Sequence, residues 1–240
     1  MPAMESEPIL ITGASRGLGL AFAGALARRG AAVYAGCRAP ERAAELGALA
    51  AAHPERVRVI QLDVDDEGSV AAAQATVAAG SARLKLLINN AGAMEPEPDL
   101  DKADRAAINA VLATNVTGPL MMAKAFRGLL REGAPARIVN ISSILGSMGA
   151  REPGMGWNTY AYNSSKAGLN MVTLMLADEL RGDGIDVTAL HPGWVATDMG
   201  GAQAPLQPDE SVAAMLKVIA GLKAGQSGQY LGPDGEALPW

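Results

Sequence analysis

The chain is poor in cysteine, histidine, aromatic residues and charge, and each shortage closes off a class of function. A single cysteine, Cys37, excludes an intramolecular disulfide and a thiolate cluster around a metal. The two histidines, His53 and His191, lie far apart and lack a ligand-like neighbourhood, so no metal site is expected. The net charge is −5 and no basic run exceeds the pair Arg28-Arg29, so no nucleic-acid surface is expected. The N-terminus lacks a charged-then-apolar signal pattern, and no apolar stretch reads as long enough to cross a bilayer. A cytoplasmic protein without a membrane partner is therefore the default expectation. Aromatics make up 4% of the 240 residues, which leaves Ala, Val, Leu, Ile and Met to build the core. With 49% hydrophobic and 19% charged residues, the composition suits a well-buried fold rather than a disordered chain.

Seven short segments rich in Ile, Val and Leu recur along the chain, at 9–11, 33–35, 57–62, 84–89, 137–142, 185–191 and 229–231. Between them lie Ala-rich or amphipathic stretches, including 17–29, 67–79, 108–131, 161–180 and 210–222. Apolar strands alternating with helices predict a parallel sheet covered on both faces, an α/β architecture. The alternation never pauses for a linker, so one domain over 1–240 is expected. In such sheets ligands bind beyond the carboxyl ends of the strands, which directs attention to the residues after each apolar run.

After the first run comes Thr12-Gly13-Ala14-Ser15-Arg16-Gly17-Leu18-Gly19. Glycines there allow a tight turn and let backbone N–H groups approach a pyrophosphate at a helix N-terminus. The spacing is G-x-x-x-G-x-G, not the commoner G-x-G-x-x-G. The second run ends in Gly36-Cys37-Arg38, without the acidic residue that would bond the ribose hydroxyls of NAD and repel a 2′-phosphate. Arg38 and Arg16 can bind such a phosphate or can be solvated surface residues. The absent carboxylate favours NADP(H). Asp63 after the third run can accept from an adenine amino group or serve as a turn residue, while one of Asp65, Asp66 and Glu67 caps the next helix. Asn89-Asn90-Ala91-Gly92 is a turn by composition, and Asn115 is a poor helix-interior residue that signals a local break or a polar network.

Tyr162 and Lys166 stand four residues apart in a helical stretch, on one face. A free phenol titrates near ~10, and bringing it to neutral pH takes roughly 4 kcal/mol. A cation about 4 Å away supplies about that much at an effective dielectric of ~20. Tyr162 can thus act as an acid/base near pH 7 while Lys166 stays charged. Ser142 and Ser143, at the end of the fifth run, can each donate to a substrate carbonyl.

These motifs, with Pro192-Gly193, fall in the order of the short-chain dehydrogenase/reductase family, which the chain strongly resembles over residues 9 to about 200. The longer segment between Ser143 and Tyr162, the run His191-Pro192-Gly193-Trp194-Val195-Ala196-Thr197-Asp198-Met199 and the terminal Asp234-Gly235-Glu236-Ala237-Leu238-Pro239-Trp240 resemble its carbonyl-reductase-like branch, which includes the sniffer and C-factor proteins. The resemblance implies a Rossmann-type, doubly wound, seven-stranded parallel sheet. It implies a catalytic set of Tyr162 as acid/base, Ser143 orienting the carbonyl, Lys166 tuning the phenol and holding ribose, and Asn115 supporting a proton relay. Tyr160 has Ser164 four residues on, not a lysine, and the family pattern selects Ser143 over Ser142.

Cofactor contacts are implied for Gly13, Ser15, Arg16, Gly17, Leu18 and Gly19 in the first turn, and for Arg38, Asp63 and Val64. Further contacts are implied for Asn89, Ala91 and Gly92, for Tyr162 and Lys166, and for Pro192, Gly193, Val195 and Thr197. Met94, Trp157, Trp194 and Met199 are candidates for a substrate pocket, and His191 reads as a structural strand-end residue. The activity implied is reversible reduction of a ketone or aldehyde by NADP(H). A C-factor-like signalling or sensor protein, and an NAD-linked alcohol dehydrogenase, are the alternatives. A homodimer through helices 108–131 and 160–180 is implied as well, on a face that the longer 143–162 segment can obstruct.

Overall fold

Pro8–Ile11 forms a first strand (β1) whose four residues are all buried, as a central parallel strand requires. The computed structural model describes residues 7–95, 100–152 and 159–240. Six more strands follow: Ala32–Cys37 (β2), Val57–Gln61 (β3), Leu86–Asn89 (β4), Ala136–Ile141 (β5), Ile185–Leu190 (β6) and Gln229–Leu231 (β7). They form one seven-stranded sheet in the order β3-β2-β1-β4-β5-β6-β7. Every pairing between these seven strands is parallel. The winding reverses between β1 and β4, which opens a crevice at their carboxyl ends.

Among the described residues, seven α-helices cover the sheet: Gly17–Arg28 (α1), Ala44–Ala52 (α2), Glu67–Gly80 (α3), Arg105–Leu112 (α4), Gly118–Glu132 (α5), Tyr160–Glu179 (α6) and Pro208–Gly221 (α7). Alternation along β1 sends Ile9 and Ile11 to one face and Leu10 to the other. Ile9 and Ile11 pack with Phe22 and Leu26 of α1, Leu46 of α2 and Met215 of α7. Leu10 packs with Val77 of α3, Met122 and Phe126 of α5 and Leu176 of α6. The result is a single-domain, doubly wound α/β fold.

Two readings of the sequence change. The expected helix 108–131 is two helices, α4 and α5, joined by a π-helical turn at Ala113–Thr117 that contains Asn115. Moreover, the continuous helical stretch Arg105–Glu132 has 28 residues and a mean hydropathy of 1.3 in its most apolar window, long and apolar enough by size alone to cross a membrane. Its apolar side chains Met122, Phe126 and Leu130 are instead buried against the sheet. Asp66 caps α3, accepting from Ser69 N–H at 2.6 Å.

Candidate active site

The turn after β1 delivers the chain to α1 with Gly13 at φ +66° and Gly17 at φ +55°, a region that glycine alone enters without strain. A Cβ on Gly13 would sit 2.8 Å from Ala91 Cα, so this turn and the one after β4 are pressed together. Asn90 locks them: its Nδ2 donates to the carbonyls of Thr12 at 2.9 Å and Gly13 at 3.0 Å. Thr12 Oγ1 in turn accepts from Asn90 and Ala91 N–H at 3.0 and 2.9 Å. Helix α1 has no side-chain cap and no acidic residue in its first turn. Its unsatisfied N–H groups and positive end therefore face the crevice, a donor set that fits a pyrophosphate. Ser15 and Leu18, half-buried, and Gly19, buried, complete this turn.

Around it the sequence-predicted residues divide. Arg38 is exposed just beyond β2 and has no ion pair among the described residues. Arg16 is paired with Asp198 at 2.9 Å, both side chains open to solvent. Asp63 acts in a turn, its Oδ1 accepting from Asp65 N–H at 3.1 Å, while Val64 packs against Gly118. Asn89 differs from expectation. Its side chain is buried within the sheet and donates to Asn140 Oδ1 at 2.8 Å; Asn140 donates onward to Thr173 Oγ1 at 2.9 Å. Asn90, not Asn89, shapes the turn, and the N-N-A-G composition alone does not distinguish the two. Ala91 and Gly92 lie at the crevice, Gly92 exposed.

On the other wall, Gly193 after Pro192 has φ +82°. Val195 is buried, and Thr197 Cγ2 would stand 3.3 Å from a Cβ on Gly17, which brings this loop onto the glycine turn. Trp194 is 44% exposed with its indole donating to Gly200 O at 2.8 Å. Met94 and Met199 are half-buried, and Trp157 lies outside the described residues. His191 is pushed down to about 4 by burial, so its imidazole is neutral at pH 7.

At the end of β5 the two serines part. Ser142 is buried and donates to Asn170 Oδ1 at 2.6 Å. Ser143 begins a short 3-10 turn, Ile144–Gly146, with its Oγ accepting from Leu145 N–H at 3.2 Å. Because that N–H occupies an acceptor position, the serine keeps its own proton for donation. Its partner is the Tyr162 phenol, whose pKa is raised by burial and only partly drawn back by the hydrogen bond with Ser143. Tyr162 is 9% exposed, whereas Tyr160 is 48% exposed and outside this arrangement.

Lys166 is buried, and its Nζ donates to Ile141 O at 2.9 Å while lying 5.5 Å from the centroid of the Tyr162 ring. Burial pushes the phenol up to about 12 and the ammonium down to about 8. Contrary to the expectation from spacing, Lys166 does not bring the phenol toward neutral pH in this arrangement. The cation is bonded to a backbone carbonyl, and desolvation of the buried phenol is the largest cause of its shift. Lys166 also stands 3.9 Å from where a Cβ on Gly92 would be.

Asn115, fully buried in the π-helical turn, clamps the segment that follows β4. Its Oδ1 accepts from Ala93 N–H at 2.8 Å and its Nδ2 donates to Ala93 O at 2.8 Å and to Ser165 Oγ at 2.9 Å. Such local widening of a helix recurs at functional sites, and here it turns an amide toward the segment beside Lys166. Sequence reasoning missed Asn90, Asn140 and Asn170. The signal available for Asn170 was a polar residue on the buried face of α6, two turns beyond Tyr162.

Known proteins share this fold and much of this sequence. The NADPH-bound carbonyl reductase from chicken fatty liver shares 37% identity and superimposes with a TM-score of 0.93, covering 98% of this chain and 100% of that one. The carbonyl reductase Sniffer of Drosophila melanogaster shares 32% identity with a TM-score of 0.91 over 98% and 100% of the two chains. The C-signal protein of Myxococcus xanthus is 40% identical over 155 residues, which is 65% of this chain and 92% of that protein. The profile of the short chain dehydrogenase family matches residues 7–207. With its glycine turn on an uncapped helix and its Ser143–Tyr162–Lys166 cluster beyond the carboxyl end of β5, this chain belongs to the short-chain dehydrogenase/reductase family of oxidoreductases.

Proposed function

We propose that the protein is an NADPH-dependent carbonyl reductase. The observation that carries the reading is the pairing of Ser143 with Tyr162 beside a buried, charged Lys166. Bound NADPH supplies the hydride that reaches the carbonyl carbon. Ser143, its Oγ already accepting from Leu145 N–H, donates to the substrate oxygen, and Tyr162 gives up its phenolic proton as negative charge grows there. Lys166 stabilises the resulting tyrosinate through space. A phenol pushed up to about 12 is protonated throughout the physiological range, which suits the acid role of reduction better than the base role of alcohol oxidation. Arg38 and the glycine turn hold the adenosine phosphates. No carboxylate at Cys37 opposes a 2′-phosphate.

Exposed Met148 and Trp194 near the catalytic loops support an apolar carbonyl compound as substrate. We also propose a homodimer through α5 and α6. Met171 and Met175, 55% and 64% exposed, lie four residues apart on one face of α6, and Leu120 of α5 is 37% exposed. Light scattering at micromolar concentration tests this, and a monomer throughout would overturn it. For the activity, purified protein is mixed with NADPH and a panel of aldehydes, ketones and quinones while cofactor absorbance is followed. Oxidation of NADPH in step with alcohol formation is the expected result; cofactor binding with no turnover of any carbonyl would contradict the reading.

A further inference from the structure

Ser143 presents its hydroxyl from a short turn, and a distant part of the chain makes contact with that turn. Beyond β7, the chain reverses at Gly232–Gly235, where Gly232 N–H donates to Glu236 O at 2.9 Å and Gly235 adopts φ +84°. The returning segment pairs with β7, Leu238 N–H donating to Tyr230 O at 2.8 Å. It thereby covers the exposed edge of the sheet and brings Pro239 and Trp240 against residues 147–149. Ser147 Oγ donates to Pro239 O at 2.6 Å, and Gly149 N–H donates to Trp240 O at 2.8 Å. A Cβ on Gly149 would come within 2.9 Å of Pro239 Cβ, so the two segments are in direct contact.

Tyr230 joins these contacts to the reacting group. Its ring stacks on Trp240 with centroids 5.3 Å apart and planes inclined by 29°. Its hydroxyl donates to the Ser143 carbonyl at 2.6 Å. The Ser143 carbonyl also accepts from Gly146 N–H at 2.8 Å, so both of its lone pairs are used. Burial raises the Tyr230 phenol above its ordinary value, so the donor keeps its proton at any working pH. A phenylalanine would fill the same space and keep the stack; the oxygen is what reaches Ser143.

We infer that Tyr230, braced by Trp240, is a positioning residue for Ser143: it fixes the backbone from which the serine hydroxyl is aimed at the substrate carbonyl. The inference rests on the carbonyl-reductase reading. A small misplacement of a group that must meet a developing charge costs rate rather than binding. Tyr230→Phe should therefore lower kcat roughly tenfold or more, with the NADPH dissociation constant unchanged.

The test measures kcat and KM for reduction of 4-nitrobenzaldehyde by NADPH in wild type, Tyr230→Phe, Ser143→Ala and the double variant. If Tyr230 acts through Ser143, Tyr230→Phe adds almost nothing in the Ser143→Ala background. A multiplicative loss there, or an unchanged kcat in the single variant, overturns the inference. Trp240→Phe should keep most activity and Trp240→Ala should lose about as much as Tyr230→Phe. Amide hydrogen exchange in the NADPH-bound protein supplies an arm independent of turnover. Gly146 N–H, bonded to the Ser143 carbonyl, should exchange faster in Tyr230→Phe. Should wild type bind NADPH yet reduce no carbonyl, the function reading fails, and unchanged exchange at Gly146 would separately overturn the positioning role.

Discussion

Lys166 gives its hydrogen bond to the Ile141 carbonyl, at 2.9 Å, and not to the Tyr162 phenol it lies beneath. The pair therefore acts through space, and its influence depends on the lysine's charge. Burial lowers the ammonium to about 8, so that charge is lost as pH rises through about 8. Carbonyl reduction should be constant from pH 6 to 7 and decline on the alkaline side with an apparent pKa near 8. A kcat profile flat to pH 10 would contradict this coupling.

Among the described residues Arg38 has no carboxylate partner, whereas Arg16 is paired with Asp198 at 2.9 Å. Arg38→Ala should weaken NADPH binding about tenfold or more and leave NADH nearly unchanged, because a charge-assisted phosphate contact contributes roughly 1.5–3 kcal/mol. Arg16→Ala should cost less. Fluorescence titration of both cofactors checks the order, and equal losses for NADH and NADPH would refute it.

The strands were legible in the sequence because central parallel strands are nearly continuous apolar runs; β1 and β4 are buried at every position. Tyr162 and Lys166 were legible because i and i+4 share a helix face. What spacing cannot convey is where a side chain finds its partner. Lys166 turns to Ile141, 25 residues away, and Tyr230 reaches Ser143 across 87 residues. Both contacts exist only once β5, α6 and β7 are assembled. The same reason hides the upward shift of Tyr162, since desolvation belongs to the packed site and not to the sequence neighbours. Asn115 was legible as a break, and the break proved to be a π-helical turn.

That turn is held by one amide. Asn115→Ala removes the bonds to Ala93 N–H and Ala93 O and leaves two part-buried backbone groups without partners. The protein should lose about 2 kcal/mol or more of stability, read as a lower urea midpoint with an unchanged slope. Asn115→Asp keeps the acceptor and loses the donor, so a midpoint equal to that of wild type would contradict the assignment.

His191 makes the fold sensitive to acid. Its folded-state pKa of about 4 lies below the ordinary 6.5, so the unfolded chain binds the proton more tightly. The stability it permits is fully present above pH 6.5 and is lost as pH falls toward 4, by roughly 3 kcal/mol for this group. His191→Gln should flatten the decline in urea midpoint between pH 6.5 and 4. An identical slope in the variant would show that other groups govern acid unfolding.

The most direct test of the account removes one oxygen atom. Tyr162→Phe keeps the ring and its packing, so NADPH should bind as it does to wild type while carbonyl reduction falls by ~10²–10⁴. Tyr160→Phe, at an exposed position, should retain most activity. Turnover of a good carbonyl substrate by Tyr162→Phe at the wild-type rate would contradict the assignment of Tyr162 as the proton donor.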